Sequence, residues 1–214
     1  MLIYVVRHGE TNANACGRLQ GWSNEPLNEN GRRLAELTGQ GLRGIRFDCC
    51  ISSPLLRAMQ TARILLQESG NEIPILLDDR IKEINMGDWE RKKFRPGERE
   101  VDEREIRLFF TDPFRLGGCP GGETVGQVCA RTQAFLKELI ARDDGRTYLV
   151  ATHGFALRAM LNFLYDDPGD YWHGHVPYNC AVNIIEGKNG VGTLIADDRV
   201  YYDRETAVDQ YAKF

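Results

Sequence analysis

Leu2-Ile3-Tyr4-Val5-Val6-Arg7-His8-Gly9-Glu10-Thr11 is an apolar run that stops abruptly at a cation, an imidazole and a glycine. The five residues before Arg7 are all apolar or aromatic and three are β-branched, the composition of a central strand covered on both faces. Glycine directly after His8 lets the backbone turn sharply or approach a ligand, and open α/β sheets bind ligands outside the carboxyl ends of their strands. Arg-His-Gly by itself also fits a plain strand end and turn. Its meaning depends on what the rest of the chain delivers to the same rim.

A second strand end repeats the pattern. Residues 146–151 read as a buried strand running into Thr152-His153-Gly154, followed at once by a helix from Phe155 to about Tyr165. A further buried strand over 47–52 leads into Ser53-Pro54-Leu55-Leu56-Arg57. Ser53 as N-cap and Pro54 as first helical residue place Arg57 in the first turn, near the positive end of the helix dipole. An arginine there is misplaced unless an anion is close; the competing reading is an exposed arginine paired with a loop carboxylate. After a short strand over 73–77, Glu83 alternates with apolar neighbours, which aims it either at solvent or at a rim where it can act as a general acid.

The remaining segments supply scaffold and rim. Residues 12–29 read as a loop that turns Asn14, Arg18 and Gln20 toward the rim, and Asn28 caps a helix to about Gly41. Residues 91–123 form a charge-dense excursion over the rim, helical in its second half; long insertions of this kind are commonly lids or substrate selectors. A helix from Thr124 to about Arg142 carries one apolar stripe, Val125, Val128, Thr132, Phe135, Leu136 and Leu139. Residues 180–186 and 191–196 pair as a hairpin through Lys188-Asn189-Gly190.

The 214 residues, 42% hydrophobic and 27% charged, fit one α/β domain over 1–214, with no repeat or linker. No apolar run approaches the roughly 18 residues of a membrane span and no secretory leader is evident, so a cytoplasmic protein without membrane partners is expected. A net charge of -4 argues against a nucleic-acid partner. The six cysteines form no C-x-x-C clusters, and Cys49-Cys50 lie in a strand where they point to opposite faces. Nothing in the sequence speaks to oligomeric state.

Arg7, His8, Asn14, Arg57, Glu83 and His153 thus converge as two fixed cations, two imidazoles, an amide and one carboxylate. Guanidinium groups match phosphate oxygens, and a phosphomonoester carries roughly 1.5 to 2 negative charges near neutral pH, so Arg7 and Arg57 suit a phosphoryl clamp. A neutral imidazole is a competent nucleophile, and a raised carboxyl at Glu83 can protonate the leaving alkoxide. A metal site is the alternative weighed against this. His173-Gly174-His175 is the closest histidine pair, but no carboxylate cluster or H-x-x-x-H completes a ligand set, so no metal and no cofactor is expected.

Arg7-His8-Gly9-Glu10-Thr11, Asn14, the segment Ser52-Ser53-Pro54-Leu55-x-Arg57-Ala58-x-Gln60-Thr61-Ala62, Glu83 with Gly87-Asp88-Trp89-Glu90, and Thr152-His153-Gly154 together resemble the histidine phosphatase superfamily, in its phosphoglycerate mutase-like branch. The resemblance spans about residues 1 to 196. It implies a three-layer α/β/α sandwich with a central, mostly parallel sheet. It also implies a phosphohistidine on His8, a phosphate pocket from Arg7, Arg57 and His153 with contacts from Asn14, Gln20 and Gly21, proton donation by Glu83, and no metal.

Glu83-Ile84-Asn85-Met86-Gly87-Asp88-Trp89-Glu90 looks like the phosphatase subgroup rather than the cofactor-dependent mutases, whose pattern here is of the Glu-Arg-His-Tyr-Gly type. Arg91 departs from that subgroup, which has glycine at this position. The expected activity is metal-independent hydrolysis of a phosphomonoester of a small metabolite. A cofactor-dependent phosphoglycerate mutase is the alternative, and a catalytically silent phosphate sensor is a third. Trp22, Trp89 and Trp172 are candidates for the wall around the organic part of the substrate, or for the core.

Overall fold

A computed structural model describes residues 1–203. Its sheet has the strand order β3-β2-β4-β1-β5-β6, where β1 is Leu2–Arg7, β2 Cys49–Ser52, β3 Ile75–Leu77, β4 Thr147–Thr152, β5 Val182–Lys188 and β6 Val191–Arg199. The first four strands are parallel and the β5-β6 hairpin is antiparallel. This is the expected mostly parallel sheet.

Alternation along the central strands builds the layers. Ile3, Val5, Tyr148 and Val150 face one side and pack on α6 (Val125–Ala141) and α7 (Gly154–Leu161) through Phe135, Leu136, Leu139, Leu157 and Met160. Tyr4, Val6, Leu149 and Ala151 face the other and pack on α2 (Glu29–Gly41) and α3 (Leu56–Ser69) through Leu42, Ala58, Ala62 and Leu65. Each buried Leu, Ile, Val, Phe or Met among them stabilises the fold by about 1.5–3 kcal/mol before conformational entropy is charged against it. Cys49 and Cys50 fall on opposite faces, as the strand period requires. The stripe on α6 is buried in full.

Several boundaries differ from the sequence reading, each for a local reason. The loop expected over 12–29 begins with a short helix, α1 (Asn12–Ala15), because Thr11 and Asn14 cap each other reciprocally. The strand expected over 47–52 begins at Cys49, the Phe47 N–H being taken by the Asn71 side chain at 2.9 Å. The strand expected over 73–77 is confined to Ile75–Leu77. Ser53 does not cap α3: its hydroxyl is engaged by His153, and Asn24 from a distant loop accepts the Leu56 N–H instead, at 2.7 Å. The helix after His153 stops at Leu161 and continues as one 3-10 turn, Asn162–Leu164.

The excursion over 91–123 folds into α4 (Glu103–Thr111) and α5 (Pro113–Leu116). It makes a satellite core at the rim, where Phe94, Ile106 and Phe109 pack with Trp89, Phe155 and Trp172. Among the described residues no helix is long and apolar enough to cross a membrane. Residues 204–214 of the expected 1–214 domain lie outside the described residues.

Candidate active site

The parallel register Arg7↔Thr152 sets the site. Chain continuation past those partners puts His8 beside His153, ring centroids 5.1 Å apart, and Ser52↔Ala151 one strand over brings Ser53 to His153. Both histidines leave their strands at the same edge. Gly9 follows because its Cα lies against the Gly31 carbonyl oxygen, leaving no room for a Cβ, and its N–H donates to Thr61 Oγ1 at 3.0 Å.

His8 is 3% exposed. Its Nδ1 lies 2.6 Å from the Gly9 carbonyl oxygen, which can only accept, so Nδ1 carries the proton. Its Nε2 accepts from Arg57 Nε at 3.2 Å and is therefore the unprotonated nitrogen. Burial first, then the charges of Arg57 and Arg7, hold the His8 imidazole well below its ordinary pKa of 6.5. His153 is held low in the same way, by burial first and then by Arg57. Its Nε2 meets Ser53 Oγ at 2.8 Å.

Arg57 is fully buried. Its Nη1 and Nη2 donate to the carbonyls of Ser23, at 2.8 Å, and Gly21, at 2.7 Å, and burial brings its pKa down to about 10. The loop that receives it is fixed by Glu90, whose carboxylate accepts the N–H groups of Gly21 (3.0 Å), Trp22 (3.0 Å) and Ser23 (3.3 Å). Arg7 reaches the Pro177 carbonyl, and the Asn179 amide closes on the His8 carbonyl at 2.9 Å.

Glu83 is buried, not on the solvent face. Its Oε1 accepts from Ile84 N–H (3.0 Å) and Ala156 N–H (2.8 Å), and its Oε2 from Phe155 N–H (3.2 Å), the last two being in the first turn of α7. Burial raises its pKa above the ordinary 4.5, against the lowering by those N–H groups and Arg57. Oε2, with one longer contact, is the oxygen best able to carry a proton.

A cavity of about 50 Å³ opens over these groups, walled by Arg7, His8, Asn14, Gln20 and Glu83 at its polar end and by Phe109, Phe155, Trp172 and other apolar side chains beyond. The Asn14 and Gln20 amide oxygens are committed to Thr11, at 3.1 and 2.8 Å, which leaves the amide nitrogens as their donor ends; Gln20 Nε2 is buried without a protein partner. Arg57 and His153 lie against His8 and are not among the side chains that wall the cavity. Gly21, expected at the phosphate, has its N–H on the Glu90 carboxylate and its carbonyl on Arg57 Nη2.

His173 stacks on Tyr165 with centroids 3.5 Å apart and His175 Nε2 lies 3.1 Å from Asp198; neither lines the cavity. No three of His, Cys, Asp and Glu are grouped as metal ligands among the described residues. Trp89 is core, Trp172 walls the cavity, and Trp22 lies outside it with Nε1 on the Glu83 carbonyl at 2.8 Å. Arg91, in the place where the resembled pattern has glycine, adopts φ 66°, the left-handed region.

The sequence reading assigned no role to Glu90 or Arg131. Glu90 sits within the quoted Gly87-Asp88-Trp89-Glu90 segment; Arg131, one residue before Thr132 in a helix stripe, gives no sequence signal at all.

A profile of the histidine phosphatase superfamily (branch 1) matches residues 3–196. The chain is 33% identical over 168 residues to the 2,3-bisphosphoglycerate-dependent phosphoglycerate mutase of Cytophaga hutchinsonii, covering 76% of each. It is 31% identical over 185 residues to the "Probable phosphoglycerate mutase GpmB" of an Enterobacter species, covering 86% of this chain and 84% of that one. Among solved structures it is similar to Bacillus stearothermophilus YhfR, at 32% identity and a TM-score of 0.83 over 93% of this chain and 97% of that one. With His8 and His153 side by side at the sheet edge and a match over nearly its whole length, the chain belongs to the histidine phosphatase superfamily, branch 1.

Proposed function

We propose that the protein is a phosphoric monoester hydrolase working through a phosphohistidine on His8 Nε2, with residues 1–214 acting as one domain. The observation that carries this reading is the pair of bonds on His8: Nδ1 held by the Gly9 carbonyl and an unprotonated Nε2 beside Arg57. Nε2 attacks phosphorus while the ester P–O bond breaks and the leaving oxygen takes the Glu83 proton. Water then attacks phosphorus, gives a proton to the Glu83 carboxylate, and the N–P bond breaks to release inorganic phosphate. Arg7, Asn14 and Gln20 donate to the transferring oxygens from the cavity wall, and Arg57, whose Nε–H gives up the His8 Nε2 lone pair as Nε2 attacks, and His153 donate from beside His8. No step calls on a metal or cofactor.

The substrate is a small phosphorylated metabolite, its organic part met by Leu19, Met86, Phe109, Phe155, Trp172 and Val176. Arg18 is the further cation on this wall, and its guanidinium is engaged by the Arg91 carbonyl at 2.7 Å and by Glu100 at 3.6 Å. That wall suits an uncharged organic group better than the carboxylate and second phosphate a bisphosphoglycerate-primed mutase has to hold. Mutase activity is the second reading because curated relatives carry that name. Rates on an aryl phosphate and on 3-phosphoglycerate, with a coupled isomerisation assay with and without 2,3-bisphosphoglycerate, separate the two. Hydrolysis exceeding isomerisation is expected, and strong cofactor-stimulated isomerisation reverses the assignment.

A further inference from the structure

The loop that carries Glu83 is pinned by a guanidinium from α6. Arg131 on α6 donates from Nη1 to the carbonyls of Arg80 (2.7 Å) and Lys82 (2.6 Å), and from Nη2 to the carbonyl of Glu83 itself (2.9 Å). The same guanidinium is held in a bidentate pair by Glu123, Nε to Oε1 at 2.8 Å and Nη2 to Oε2 at 2.9 Å. Glu123 Oε2 in turn accepts the Asn85 N–H at 2.8 Å. One buried pair therefore grips the backbone on both sides of Glu83. Both side chains are more than four-fifths buried.

The grip is specific to guanidinium. A planar fork can serve three carbonyls and a carboxylate at once, whereas an ammonium is a point donor on a flexible stem. The Glu83 carbonyl also accepts Trp22 Nε1, so both its lone pairs are used, one by α6 and one by the loop that holds Arg57. Nothing else in the helix stripe of α6 requires a cation at position 131.

We propose that Arg131, locked by Glu123, is a positioning residue that holds the Glu83 carboxyl at the α7 N-terminus for proton transfer; the inference rests on the reading of Glu83 as proton donor. Arg131 touches neither the cavity nor the Glu83 carboxylate. Its hydrogen bonds all go to the Glu83 loop and to Glu123, so the effect expected of removing them falls on the steps that use that carboxyl.

The leaving group separates this role from a merely structural one. p-Nitrophenolate departs without a proton, whereas the alkoxide of benzyl phosphate needs one. General acid catalysis contributes roughly 10²–10⁴-fold, so loosening the acid is expected to remove about 10-fold or more of kcat/KM on benzyl phosphate. Both substrates are measured on wild type, Arg131→Met, Arg131→Lys, Glu83→Gln and the Glu83→Gln/Arg131→Met double variant, each with a melting curve.

The expected result is a selective loss on benzyl phosphate for Arg131→Met, with p-nitrophenyl phosphate within about 3-fold and no rescue by lysine. On benzyl phosphate the double variant is then no slower than Glu83→Gln alone. Equal losses on both substrates, no loss on either, or losses that multiply in the double variant overturn the proposal. If Arg131→Met does not fold, Glu123→Gln, which keeps the carbonyl contacts but loosens the lock, is expected to show the same selectivity, and its absence overturns the proposal equally. If Glu83→Gln itself shows no leaving-group dependence, the assignment of Glu83 fails and the inference falls with it. A dependent Glu83→Gln with an unselective Arg131→Met refutes the inference alone.

Discussion

Arg57 Nε–H donates to His8 Nε2 at 3.2 Å, so a guanidinium N–H occupies the lone pair that the proposed attack uses and gives it up to phosphorus in that step. The contact fixes the tautomer and opposes protonation of the ring. It also puts a cation within reach of any phosphoryl group placed on that nitrogen.

Removing that charge is expected to move the acid limb of the kcat/KM profile. His8 is held below 6.5 by burial first and by Arg57 second, and only the neutral ring attacks, so activity falls as pH drops through the depressed value. In Arg57→Gln the burial remains but the repulsion goes, and the acid limb shifts to higher pH. A pH profile with a generic aryl phosphate reads the shift; an unmoved or lowered limb contradicts it. Loss of a phosphate contact lowers the rate without setting the position of the limb.

Glu83 sets the other limb. Its carboxyl is raised above 4.5 by burial, and protonated Glu83 is the donor, so kcat/KM on a poor leaving group falls as pH rises through the raised value. Together the two groups give a bell whose limbs belong to the coupled pair of sites. Glu83→Gln is expected to abolish the alkaline limb and slow benzyl phosphate hydrolysis by roughly 10²-fold or more. A retained alkaline limb in that variant assigns it to another group.

Glu90 acts through Arg57. Its carboxylate accepts three consecutive N–H groups from the loop whose carbonyls hold the guanidinium. Glu90→Ala strips those donors of their acceptor and is expected to cost about 1–3 kcal/mol in denaturant unfolding, with about a 10-fold or greater fall in kcat/KM. Glu25→Gln, which removes the Glu25 pair with the exposed Arg91 and leaves the Gly21, Trp22 and Ser23 N–H groups with their acceptor, is expected to change stability by less than about 1 kcal/mol. Equal effects of the two variants contradict the role given to Glu90.

Arg91 holds φ 66° without being glycine. A left-handed L-residue costs about 1–2 kcal/mol, offset in part by the backbone entropy a glycine loses on folding. Arg91→Gly is therefore expected to be stabilising by up to about 1 kcal/mol, read from the denaturation midpoint at unchanged slope. Destabilisation shows that the side chain contributes more than the backbone conformation costs.

The fold and the site were unequally legible in the sequence. Buried strands announced themselves as apolar runs, and the repeated His-Gly ends of β1 and β4 located the rim because parallel neighbours bring equivalent ends together. Arg57 was picked out by a dipole argument and does fall in the first turn of α3, but the cap differs: Asn24, 32 residues away in sequence, accepts the Leu56 N–H where Ser53 was expected as cap. Such long-range partners leave no local signature. Glu90, Glu123 and Arg131 share that fate, since each acts on backbone groups brought close only by the fold. Gly21 was assigned to the phosphate from resemblance, and its backbone groups are engaged by Glu90 and Arg57.

The account stands on His8 as nucleophile. The most direct test is to mix the protein with ³²P-labelled aryl phosphate, quench in denaturant at alkaline pH, where phosphohistidine persists, and map the labelled peptide. Label on His8 that is lost on acid treatment, and absent from His8→Ala together with turnover, is the predicted result. A His8→Ala variant that hydrolyses the ester as fast as wild type, or label carried by another residue, contradicts it.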